Sequence, residues 1–200
     1  MAEDKQAADD TSRLSVRRGN GPAVCLRGVR HLQRVDRSLR RPYDLAVTEP
    51  LLSRDIAIPI PPEHADMVLE PLGEEHNLSD LDAWGSSIEH IRSTPGMGDR
   101  DWPPEGPYTV EQNLADMRMH VADFAARTGF TWTVLDPASR AVIGCVYMYP
   151  SEVAGSPPGQ ITVRSWVRAD RSTLDAELYR LVSAWIARDW PWADVVYAHR

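Results

Sequence analysis

The run from Ala141 to Tyr149 constrains this chain most. It is nearly continuous apolar sequence with no charged residue. A stretch of that length with apolar residues at both alternating positions reads as a strand buried on both faces. Such a strand requires a sheet with packed layers on either side. Phe130 to Leu135 alternates before it, and Asp136-Pro137 opens the turn between the two. After a loop at 150–160, Ile161 to Arg168 reads as a third strand. Tyr147 and Tyr149 stand two apart and so share one face of the sheet.

Helical signals flank these strands. Thr109 to Gly129 is the clearest, with Thr109 as the cap and Gln112 as its capping-box partner. Leu114, Met117, Val121 and Phe124 form its apolar face, and Gly129 is the expected stop. Residues 76–92 read as one helix, capped at Asn77, with Leu78, Leu81, Trp84, Ile88 and Ile91 on one side. Residues 172–190 read as another, capped by Ser172 or Thr173 and ended by Pro191. Met67 to Leu72 and Asp194 to Ala198 are expected to be the first and last strands. Between the first two helices, residues 93–108 are too rich in proline and glycine for a regular element. The predicted order is β-α-α-β-β-β-α-β, a mixed α+β layer with helices packed on a sheet.

Charge divides the chain. Residues 13–41 carry nine arginines and one acid, whereas residues 42–200 carry twelve arginines and twenty-four acids. We therefore expect an Arg-rich, disordered extension over 1–55, a Pro-rich linker over 56–65 and one domain over 66–200. Arg30, Arg34, Arg37 and Arg41 recur at helical spacing in the extension, and Cys25 is expected to be an unpaired thiol there. The net charge of −7 argues against nucleic-acid binding by the whole molecule. No apolar run is long enough for a membrane span or follows the arginine pairs as a secretory signal requires. A cytoplasmic protein is expected. Two cysteines cannot build a disulfide framework, and the six histidines show no metal-ligand spacing. Cys145, inside the apolar strand, is expected to be buried and inert. No Gly-x-Ser-x-Gly elbow supports serine hydrolase chemistry.

Three passages carry a family resemblance. They are Gly129 to Pro137, Val142-Ile143-Gly144-Cys145-Val146-Tyr147, and Trp166-Val167-Arg168-Ala169-Asp170-Arg171 followed by a helix. With the element order, they resemble the first two thirds of the GCN5-related N-acetyltransferase (GNAT) fold over residues 65–200, in a degenerate bacterial acetyltransferase-like group. The resemblance implies acetyl-CoA as cosubstrate and an amine, of a small molecule or a protein, as acceptor. It implies a diphosphate at the strand-to-helix turn, with Trp166, Val167, Arg168, Arg171, Ser172 and Thr173 as the cosubstrate-binding residues. It also implies a backbone N–H near Trp166 to Arg168 that polarises the acetyl carbonyl. Glu89, His90 and Tyr147 are the catalytic candidates for proton transfer. The loop at 93–108, with Arg100, Asp101, Trp102 and Tyr108, would wall the acceptor side.

The turn departs from the family pattern. No register of Arg168-Ala169-Asp170-Arg171-Ser172-Thr173-Leu174-Asp175-Ala176 supplies a glycine, and Asp170 and Asp175 add negative charge. The strand at 194–198 is followed by no further element, so another subunit is expected to complete the cleft, or the cleft is incomplete. A homodimer and a GNAT-like binding or dimerisation module without catalysis are the alternatives these departures leave open.

Overall fold

The computed structural model describes residues 49–98 and 102–200. The Arg-rich run, Cys25, Arg100 and Asp101 lie outside these residues. The described elements are β1 (Val68–Pro71), α1 (Asn77–Gly85), α2 (Ile88–Ser93), α3 (Val110–Ala126), β2 (Phe130–Leu135), β3 (Val142–Pro150), β4 (Ile161–Val167), α4 (Asp175–Asp189) and β5 (Val195–Tyr197). One 3-10 turn, Glu74–His76, precedes α1, and a second, Ala169–Leu174, precedes α4. The five strands lie in one sheet in the order β1-β2-β3-β4-β5. The first three pairings are antiparallel, and β5 joins β4 in parallel after the α4 crossover. This is the mixed α+β layer expected.

β3 is the central strand, and both of its faces are covered. On one side α4 packs through Leu178, Val182, Trp185 and Ile186 against Trp132, Val146, Met148 and Val163. On the other, α1, α2 and α3 supply Trp84, Ile91 and Met117 against Cys145 and Trp166. Both tryptophans of the sheet-facing set, Trp166 and Trp185, are fully buried. Cys145 is buried too, and its thiol is pushed well above the usual range by that burial. Ile143 is an extra residue in β3, because Val142 and Gly144 face the consecutive residues Leu135 and Val134. A Cβ at Gly144 would stand 2.4 Å from the Trp166 carbonyl oxygen, so the close approach of β3 to β4 requires glycine there.

α3 begins as its sequence dictates. Thr109 Oγ1 accepts from the Gln112 N–H at 3.2 Å, and Gln112 Oε1 accepts from the Thr109 N–H at 2.8 Å. Three local expectations are corrected. The helix predicted over 76–92 is broken after Gly85, because the Ser87 hydroxyl accepts the Ala169 N–H at 3.0 Å and fixes the chain to the end of β4. α3 ends at Arg127, which takes the left-handed conformation (φ 61°), not at Gly129. Gly129 serves a different purpose: a Cβ there would lie 2.0 Å from the Tyr149 ring. Finally, neither Ser172 nor Thr173 caps α4. The helix winds out of the preceding 3-10 turn with Leu174 at its cap position and no side-chain cap.

The chain already packs on the domain before residue 66. Leu52 is buried in the core, the Leu51 N–H donates to the Arg127 carbonyl at 2.8 Å, and the Trp192 indole donates to the Leu51 carbonyl at 2.8 Å. The Arg127 guanidinium holds the carbonyls of Ser53 and Ile56. Among the described residues no helix is long and apolar enough to cross a membrane.

Candidate functional site at the splayed edge of β4

β4 and β5 pair over only three residues each, Ile161 with Val195, Thr162 with Val196 and Val163 with Tyr197. The second half of β4 therefore runs on beyond the β5 ladder. Amides alternate sides along a strand, and the direction at this edge can be read from its bonds. The Ile161 N–H donates toward β5, to Asp194. The Ser165 carbonyl accepts on the same side, from Arg200. The Arg168 N–H donates the other way, to Ile143 of β3. Odd-numbered residues thus face the β5 side, and Val167 presents its N–H to the splayed edge. The family resemblance implied a backbone N–H donor near Trp166 to Arg168; of these residues, Val167 is the one whose N–H turns to this edge.

Residues 87–96 run along this edge. Ser87 holds Ala169, Gly96 accepts from Arg164 Nε at 2.9 Å, and Pro95 accepts from Arg200 at 2.8 Å. His90 lies within that run. Its Nε2 is buried and has no hydrogen-bond partner among the described residues. Glu89, the neighbouring candidate, is exposed. Tyr147 stands on β3, where its hydroxyl accepts from the Trp166 indole N–H at 3.2 Å. Burial pushes the Tyr147 phenol well above its ordinary range, so it stays protonated at neutral pH.

Aromatic rings cover this face of the sheet. Trp102, from the long loop, lies 6.1 Å from Tyr147, 6.1 Å from Trp166 and 6.0 Å from Trp84, and Tyr108 lies 5.3 Å from Trp84. The loop thus brings Trp102 and Tyr108 onto the face that carries Tyr147 and Trp166. A polar group that sequence reasoning missed sits beside them. His120 of α3 lies 5.5 Å from the Tyr147 ring. The Tyr149 hydroxyl donates to Asp123 Oδ2 at 3.1 Å, because a carboxylate can only accept. His120 Nδ1 lies 2.8 Å from the same hydroxyl oxygen and 3.1 Å from Thr131 Oγ1. The signal available in sequence was the i, i+3 spacing of His120 and Asp123 on α3.

The turn after β4 is occupied by local acids. Arg168 bonds Asp170 at 3.1 and 3.3 Å and Asp82 at 3.0 Å, and Arg171 bonds Asp136 at 3.3 Å. Ser172 and Thr173 are exposed in the 3-10 turn. An open depression of about 360 Å³ lies beside the turn, lined by Asp66, Asp136, Asp170, Arg171, Thr173 and Leu174. Three carboxylates against one guanidinium make it a poor seat for a diphosphate. α4 opens on Asp175 and Glu177, which suit the positive helix end but compete with an anionic ligand.

Solved structures similar to this chain include several acetyltransferases. A ribosomal-protein-S5-alanine acetyltransferase from Vibrio fischeri matches with 14% identity and a TM-score of 0.49, covering 64% of this chain and 66% of that one. The ribosomal L7/L12 α-N-protein acetyltransferase RimL in complex with coenzyme A matches with 10% identity and a TM-score of 0.48, covering 64% and 67%. The microcin C7 self-immunity acetyltransferase MccE in complex with acetyl-CoA and AMP matches with 10% identity and a TM-score of 0.47, covering 62% of each chain. The chain thus spans just under two thirds of the first of these structures. No protein-family model and no curated protein matches it.

Proposed function

We propose that the domain transfers an acetyl group from acetyl-CoA to an amine of a small molecule or a protein, by direct attack on the thioester. The observation that carries this reading is the β4 edge beyond Val163, where the Val167 N–H faces a splay between two parallel strands. Acetyl-CoA supplies an electrophilic thioester. The Val167 N–H donates to the thioester oxygen as negative charge grows there, from a backbone position that needs no reorganisation. Trp166 and Arg168 fix that amide from either side. His90, whose buried Nε2 has no partner among the described residues, accepts the proton of the attacking amine; as the C–N bond forms the C–S bond breaks, and CoA leaves as a thiolate that takes this proton back from the imidazolium. Tyr147 is a protonated phenol and a hydrogen-bond donor on the same sheet face. Glu89, being exposed, takes no direct part.

The edge suits a thioester better than the turn suits a diphosphate. Arg168, Arg171, Ser172 and Thr173 are the groups available to hold the anionic end, and both arginines must share their charge with Asp82, Asp170 and Asp136. The expected affinity for acetyl-CoA is correspondingly modest. Calorimetric titration of acetyl-CoA into the full chain tests the reading. Saturable binding is expected, with a stabilisation of about 2.7 kcal/mol at a ligand concentration 100 times Kd. An intact fold with no binding at millimolar acetyl-CoA, in the full chain and in its Arg200→Ala variant alike, overturns it.

A further inference from the structure

The splay between β4 and β5 is filled by the chain itself. The Arg200 side chain is only 3% exposed. Its Nη1 donates to the carbonyls of Pro95 and Ala198, each at 2.8 Å. Its Nη2 donates to the Ser165 carbonyl at 2.8 Å and to Ser165 Oγ at 3.1 Å. Its Nε lies 2.7 Å from Asp175 Oδ2, at the first position of α4. The Tyr197 ring lies 5.6 Å from the guanidinium carbon, and the Tyr197 hydroxyl is 2.5 Å from Ser165 Oγ. Carbonyls, a carboxylate and an aromatic face thus converge on one planar cation. That is the chemistry by which guanidinium groups are recognised.

The slot is not saturated by Arg200. Among the described residues, Asp175 Oδ1 is buried without a hydrogen-bond partner, and so is Arg200 Nε, whose approach to Asp175 lacks hydrogen-bond geometry. A guanidinium free of its own chain could turn to engage both carboxylate oxygens, the bidentate arrangement a tethered side chain does not reach here.

We infer that the wedge between β4 and β5 is a guanidinium-binding site, built by Asp175, Ser165, Pro95 and Tyr197 and filled by Arg200, whose occupancy excludes an acyl donor from Val167. The second half of this statement rests on the acetyltransferase reading; the first does not. Ser165 and Val167 share one edge of β4, two residues apart, about 7 Å along the strand. A group bonded to the Ser165 carbonyl stands in the path to the Val167 amide. The slot is therefore a site with two mutually exclusive occupants, a guanidinium cation and an uncharged thioester. Arg200, or another guanidinium group in its place, closes it; withdrawal of that cation opens the edge.

Methylguanidinium is the probe. Arg200→Ala in the full chain is expected to bind it saturably, by calorimetry, while the unmutated protein does not. Adding Asp175→Asn is expected to weaken that binding about tenfold, the loss of one charge-assisted pairing. Folded Arg200→Ala protein that shows no saturable methylguanidinium binding overturns the site. If Arg200→Ala does not fold, Asp175→Asn alone decides by hydrogen exchange. Faster exchange confined to the Ser165 and Val167 amides supports the slot, and unchanged exchange overturns it. In Arg200→Ala, saturating methylguanidinium is expected to raise the apparent Kd for acetyl-CoA at least tenfold; acetyl-CoA binding undiminished by it overturns the exclusion. Methylguanidinium binding with no acetyl-CoA binding to any variant removes the acetyltransferase reading and leaves the guanidinium site standing.

Discussion

The Trp84 indole donates to Asn113 Oδ1 at 3.0 Å, one of several bonds that join α1 to α3 in a buried polar cluster. The Asn113 amide also donates to Asp80 Oδ2 at 3.1 Å and to Asn77 Oδ1 at 2.9 Å. Asn113 is 4% exposed and Asp80 7%. Replacing Asn113 by leucine leaves an indole N–H and a carboxylate buried without it. We expect Asn113→Leu to lower unfolding stability by about 3 kcal/mol, measured by urea denaturation. A loss under about 1 kcal/mol would mean that the cluster is hydrated and does not clamp the two helices.

The same cluster makes stability depend on pH. Burial raises the Asp80 carboxyl from 3.8 to about 6, against the opposing bond from Asn113. Between these values the folded protein holds a proton that the unfolded chain has released. Stability therefore falls as pH rises through that window, by about 3 kcal/mol in total from this group. Asp80→Asn removes this slope. Denaturation midpoints from pH 4 to pH 7 should fall in the unmutated protein, once the other carboxylates are allowed for, and the fall should be smaller in the variant. Parallel profiles would contradict a buried carboxyl at this position.

Gly144 sets the spacing of β3 and β4 at the level of Trp166. An added methyl would meet backbone, which cannot swing aside as a flexible side chain does. Gly144→Ala is expected to cost about 1–3 kcal/mol, seen as a lower Tm, and to weaken acetyl-CoA binding by displacing the Trp166–Val167 edge. A variant with unchanged Tm would show that the two strands separate freely here.

Trp102 covers Tyr147 and Trp166 from the long loop. Trp102→Ala is expected to leave the Val167 edge in place, so acetyl-CoA binding should be retained within about threefold. Exposure of the remaining tryptophans should red-shift the intrinsic fluorescence. Loss of acetyl-CoA binding together with an unshifted spectrum would place the loop on the donor side instead.

Much of the fold was legible because it is written in local patterns. Phe130–Leu135 and the capping box of Thr109 with Gln112 rest on residues a few positions apart, and both stand where the sequence puts them. The helix break after Gly85 was not legible, because it depends on Ser87 meeting Ala169 across the fold. The candidate edge was half legible. The segment Trp166 to Arg168 came from the family resemblance, but choosing Val167 required knowing which way the amides turn. Arg200, which bonds a carbonyl 105 residues away, leaves no periodic trace in sequence. Asn113 reads as one polar residue on a helix until the partner helix is in place.

Arg127 both terminates α3 and fastens the segment that precedes the domain's first strand. The Leu51 amide is bonded to the carbonyl of that same residue. Unwinding of the last turn of α3 and release of the leading segment are therefore one mechanical event rather than two. Arg127 works as a buckle, and the rate at which the Leu51 amide exchanges with solvent measures how often it comes undone.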